Sequence, residues 1–131
     1  MIANAYNGAT LAYLGDAAIE VLVRERLLRT GISDVGKLNR MAADYVRATV
    51  QSAAVERILS VLTEEETDLY KRGRNTHGLA IPRSASAGEY RRATGMESLF
   101  GGLYLAGKSD RMRELFDLAY PMEEASETQG E

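Results

Sequence analysis

Apolar residues recur along this chain at helical rather than strand spacing. Leu11, Leu14, Ala18, Leu22 and Val23 fall roughly on one side of a helix that begins after Asn7-Gly8 and runs to about Arg29, with Gly31 placed to stop it. Ser33 has the position of an N-cap for a helix carrying Leu38 and Met41. Val46, Val50, Ala53, Ala54, Ile58 and Leu62 continue the helical spacing with little break. Thr63 with Glu66 three residues later has the form of a capping box, and the acids of EEETD suit the positive end of a helix that would stop at Gly73. Ser86 with Glu89 repeats that box and opens a helix through about Ala106; a last helix spans about Asp110 to Ala119, ahead of Pro121. There is no internal repeat and no strand alternation, so the predicted fold is all-α.

Between the two capping boxes lies GRNTHGLAIPRSASAG, whose glycines, proline and small polar residues predict a long loop, a setting often functional or mobile. With 131 residues, 45% of them hydrophobic, the chain suits one domain with a modest core, placed at residues 1–120. Residues 121–131 form an acidic segment expected to be disordered. Cysteine is absent, which excludes disulfides and thiolate metal sites and is compatible with a reducing compartment. The first twenty residues lack the pattern of a signal peptide, and no segment approaches the roughly 20 apolar residues that span a bilayer. A cytoplasmic protein without membrane partners is expected.

Charge changes this picture locally. The net charge is −3, a weak argument against nucleic acid, yet Lys71, Arg72, Arg74, Arg83, Arg91 and Arg92 face a single acid, Glu89, within residues 71–92. A basic patch sits on an acidic body.

Two acids stand out from their surroundings. Asp16 lies inside LAYLGDAAIE and Glu97 inside TGMESLFGG, each among small and apolar residues where a charge is costly unless paired or bound to a cation. One reading is a solvated helix face, with Asp16 and Glu20 four apart and Glu20 at the same spacing from Arg24. The other is that Asp16 and Glu97 converge on a hard divalent cation such as Mg²⁺, which needs only one or two protein carboxylates, activates water and neutralises charge on a phosphate in flight. Spacing alone does not bring together residues so far apart in the chain.

The motifs themselves bear a resemblance. LAYLGDAAIE resembles the signature helix of the ribonuclease III family, and MESLFGGLYLAG resembles a later segment of the same family, in the same order and at a similar separation. YKRGRNTHG, between them, is similar to the Arg-Gly-Arg-Asn element of the small Mini-III branch, in which the nuclease domain occurs without a double-stranded-RNA-binding domain. The resemblance covers nearly the whole chain up to about Leu118. It implies the ribonuclease III endonuclease-domain fold as a homodimer, with Asp16 and Glu97 as catalytic metal ligands for Mg²⁺ (or Mn²⁺) and Tyr13 inserting into the partner subunit. Ala12 and Thr94 stand where the wider family has further acids; in the Mini-III branch these positions are likewise non-acidic.

Double-stranded RNA is recognised by shape, through phosphates and 2′-hydroxyls, and basic side chains supply such contacts. Lys71, Arg72, Arg74, Asn75, His77 and Arg83 are the candidates, with Arg91 and Arg92 either reaching the site or decorating their helix. For any one of these residues a solvated helix end or loop is an equally ordinary explanation. His77 is the sole histidine, but its loop setting favours an RNA contact or a surface position over a general base. Tyr13 and Leu14 on the apolar signature helix offer a self-complementary surface for a two-fold dimer that would sever both strands. The resemblance further implies maturation of 23S ribosomal RNA precursors, with specificity drawn from the loop, the duplex shape or a ribosomal protein. The rival is a non-catalytic module of the same fold that binds RNA or ribosomes, an alternative kept open by Ala12 and Thr94.

Overall fold

The structure is a computed structural model that describes residues 5–122. Six helices follow one another: α1 (Gly8–Arg29), α2 (Val35–Val46), α3 (Ala48–Glu56), α4 (Glu64–Arg74), α5 (Ala87–Leu105) and α6 (Ser109–Ala119), with a 3₁₀ turn at Leu59–Val61. No strand occurs among the described residues, and the all-α prediction holds. The expected acidic tail lies, from residue 123 onward, outside the described residues.

Most helix ends follow from local chemistry. The Asn7 side chain accepts from the Thr10 backbone N–H at 2.9 Å, and Thr63–Glu66 and Ser86–Glu89 both close complete capping boxes. Gly31, at φ 93°, terminates α1 in the left-handed region where a side chain is disfavoured. The N-cap of α2 is Asp34 rather than Ser33, its carboxylate accepting from the Lys37 N–H at 2.8 Å. The pattern from Val46 to Leu62 is not one helix. Arg47 is extended, separating α2 from α3, and the chain leaves helical geometry after Glu56. This break lets α2 pack on α1 while α3 packs on α5.

α5 is the central rod, contacting α1, α3, α4 and α6. It is buried on most sides, as a core helix with little amphipathic asymmetry should be. Met96, Leu99, Phe100 and Leu103 meet Leu11, Ile19 and Val23 of α1, Val55 of α3 and Leu69 of α4 in one cluster. Glycine permits the closest crossings. A β-carbon at Gly101 would overlap the Leu11 carbonyl oxygen, and one at Gly15 would overlap that of Glu97, so α1 and α5 touch backbone to backbone. Gly73 does not stop α4, which runs one residue further to Arg74; it lies against the Thr94 carbonyl and Ser98 side chain, where any β-carbon would collide. Packing, not helix termination, accounts for that glycine.

Candidate active site

The α1–α5 crossing positions the two singled-out acids. Gly15 rests on the backbone of Glu97, so Asp16, the next residue of α1, is delivered beside the Glu97 side chain although the two are remote in sequence. Asp16 is exposed and Glu97 half-buried. Burial first, then the negative charge of Asp16 and a hydrogen bond with it, push the Glu97 carboxyl up to about 8. At neutral pH the pair therefore retains a proton, because two adjacent carboxylates cannot both ionise cheaply without a counter-cation. Glu20 does not join them; it pairs with Arg24 at 3.3 Å on the solvated face. Both acids therefore sit where solvent reaches them, but only Glu20 is spent on Arg24, while Asp16 meets Glu97.

Glu97 also lines a cavity of about 240 Å³. Tyr90, Ala93, Thr94 and Glu97 form its α5 wall at helical i, i+3, i+4, i+7 spacing. Arg47, Thr49 and Gln51 from the α2–α3 break and α3 form the opposite wall, and Pro82, Ser84 and Ala85 close it from the loop. Sequence reasoning did not single out Arg47 or Gln51. The available signal was a glutamine among the apolar positions Val50, Ala54 and Val55.

No group of three or more His, Cys, Asp or Glu side chains suited to a metal exists among the described residues. The donor set is two carboxylates that hold a proton against their own charge. This fits Mg²⁺ or Mn²⁺, hard ions satisfied by few carboxylates plus water and phosphate, and does not fit zinc, whose sites use three or four protein ligands with His or Cys among them.

The basic residues divide into two groups. Arg74, Asn75 and His77 line an open cleft with Gly88, Arg91 and Arg92, on the side of α5 turned away from Glu97. Arg91 holds the loop there by donating to the Thr76 carbonyl at 3.0 Å, and Arg74 lies over the Tyr70 ring at 5.6 Å. Arg92 turns to α3, donating to Ser52 Oγ at 2.7 Å. Arg72 is committed to Asp68 at 2.7 Å and to the Tyr6 carbonyl at 3.1 Å, tying α4 to the segment before α1. Lys71 and Arg83 are exposed outside the cleft. On α1, Tyr13 is 84% exposed and Leu14 half-buried.

The ribonuclease III domain model matches residues 9–108, a span that contains both acids, the basic loop and the α1–α5 crossing. The chain belongs to the ribonuclease III family. Within it, the chain is similar to proteins named Mini-ribonuclease 3: it is 49% identical over 110 residues to that of Symbiobacterium thermophilum, covering 84% of this chain and 85% of the relative. It is 42% identical to that of Enterococcus faecalis, covering 85% and 86%. A crystal structure of a Fusobacterium nucleatum protein superposes with a TM-score of 0.78 at 33% identity, covering 86% of this chain and 89% of that one. Membership in this family, in its Mini-ribonuclease 3 group, makes the protein an endoribonuclease of the ribonuclease III type. The two positions without family acids are both buried: Ala12 packs inward, and Thr94 donates its hydroxyl to the Tyr90 carbonyl at 3.0 Å.

Proposed function

We propose that this ribonuclease cleaves double-stranded RNA in a Mg²⁺-dependent reaction, with Asp16 and Glu97 as the catalytic carboxylates. The observation that carries this reading is their meeting at the glycine crossing, with Glu97 holding a proton that a divalent cation would displace. Mg²⁺, when bound, supplies Lewis-acid stabilisation of the phosphoryl group and a water-derived nucleophile at neutral pH. Asp16 and Glu97 would hold it, and Glu97 would have to give up its proton to do so. Hydrolysis forms a bond from water oxygen to phosphorus and breaks the bond to the 3′ oxygen, which leaves with a proton, giving 5′-phosphate and 3′-hydroxyl ends.

Lys71, Arg74, Asn75, His77 and Arg83, with Arg91 beside them, supply contacts to the RNA backbone, reading duplex shape rather than base sequence. Arg72 acts as a tether of α4. Tyr13, Ala17, Val21 and Leu28 are exposed on α1 at successive spacings of four, four and seven residues, an apolar stripe that supports a two-fold dimer through α1 with Leu14 at its margin. The substrate we favour is the duplex formed by 23S ribosomal RNA precursor ends in the cytoplasm, with a ribosomal protein assisting recognition; this follows the family resemblance.

The deciding experiment is gel analysis of a structured precursor RNA with Mg²⁺ or EDTA, beside Asp16→Asn and Glu97→Gln. Cutting that requires Mg²⁺ and falls by about a hundred- to a thousandfold in both variants is expected, as for loss of a group that stabilises transition-state charge. Binding without cutting, unchanged by either substitution, would instead favour the non-catalytic module. Light scattering reports the dimer, and Tyr13→Glu should shift it to monomer.

A further inference from the structure

Gln51 is 2% exposed, and its side-chain nitrogen has no hydrogen-bond partner among the described residues. Buried polar groups in native folds are nearly always paired, so an exception calls for a reason. Gln51 lines the cavity that Glu97 lines from the opposite wall. The amide nitrogen only donates, so it cannot ligate a cation; its complement is an oxygen acceptor. We infer that Gln51 is a substrate-positioning residue, whose amide nitrogen donates to a backbone oxygen of the RNA strand, phosphate or 2′-hydroxyl, brought into this cavity beside Glu97.

This inference rests on the nuclease reading and adds a neutral donor to a cavity whose charged lining residues are Arg47 and Glu97. Once the loop over the cavity is displaced, a donor fixed on the wall across from Glu97 holds a backbone oxygen near that carboxylate without a second charge. The placement of Gln51 is rigid. Its backbone N–H donates to the Arg47 carbonyl at 2.8 Å, and Arg92 of α5 clamps α3 through Ser52 at 2.7 Å and Glu56 at 3.5 Å. The cavity's outer cover is the opposite. Pro82 to Ala85 carries a single long backbone hydrogen bond, Ala85 N–H to the Pro82 carbonyl at 3.4 Å, so an incoming strand displaces the loop before it displaces a helix.

The test compares wild type with Gln51→Met and Gln51→Leu, which keep the bulk and remove the donor. Two readouts are needed: thermal midpoint, and equilibrium anisotropy of a fluorescent RNA duplex with Ca²⁺ replacing Mg²⁺. A residue kept unpaired for its ligand gives duplex binding weakened about tenfold while the midpoint is unchanged or higher, since a buried orphan donor has been removed. Duplex binding equal to wild type in both variants overturns the inference. So does a midpoint lowered together with binding, because the amide would then be satisfied within the fold. A wild-type protein that does not bind the duplex at all sinks the nuclease reading itself, an outcome distinct from either.

Discussion

Glu97→Gln in metal-free protein removes a titration that the fold makes unfavourable, and its effect on stability depends on pH in a definite direction. The ordinary Glu value is 4.5, and burial together with Asp16 raises Glu97 to about 8 in the folded chain. Between those values the native state keeps a proton that the unfolded chain has released, so stability is full below pH 4.5 and declines as pH rises to about 8. Above 8 the folded carboxyl ionises as well, and the loss levels off. The whole shift corresponds to a ceiling of about 5 kcal/mol. Residual exposure of Glu97 and the solvated position of Asp16 screen the interaction, leaving about 2 to 3 kcal/mol. Glutamine keeps the shape and a hydrogen bond but carries no charge. Urea unfolding in EDTA should find the variant and wild type nearly equal at pH 5, and the variant ahead by that amount at pH 9. Adding Mg²⁺ at pH 9 should narrow the gap, because an ion bound by the native carboxylates stabilises wild type more. A stability difference that stays constant from pH 5 to 9 would refute the claim that Glu97 is protonated by burial and by Asp16.

Gly101→Ala should lower stability by about 3 kcal/mol or prevent folding, since the new methyl meets the Leu11 carbonyl, whereas Gly36→Ala, whose β-carbon finds nothing nearer than 3.5 Å, should be neutral or slightly stabilising; thermal midpoints of the pair check this. Arg111→Leu should cost about 3 kcal/mol in urea unfolding because it strands Glu66, a buried carboxylate that Arg111 grips with two hydrogen bonds at 2.8 and 2.9 Å. Glu66→Gln added to that variant should recover part of the loss. Arg74→Ala and Arg91→Ala should each weaken duplex binding and flatten the log-affinity against log-salt slope by about 1 for every phosphate the missing guanidinium had neutralised. An unchanged slope in both would remove their cleft from the RNA surface.

Period announced the six helices, and punctuation placed the ends of α1, α4 and α5, whose C-terminal glycine and capping boxes are satisfied within a few residues of themselves. The local signals misled where two local options were equal, as with Ser33 and Asp34, or where a long-range contact decided, as at Arg47 and Gly73. Asp16 and Glu97 were legible as charges in apolar settings and as members of motifs. Their meeting was not, since it depends on two helices approaching until only glycine fits between them. Gln51 and Arg47 escaped notice because neither is unusual in its own helix; each gains meaning only from the wall of α5 across the cavity. The basic residues show the same division. Sequence alone determined that a cationic segment interrupts an acidic chain, but the folding of α4 against α5 decided that Arg72 is consumed as a tether while Arg74, His77 and Arg91 share one open cleft. Helix formation is written in contacts a few residues apart, whereas the site is made of side chains whose distances exist only once α5 is buried among its neighbours.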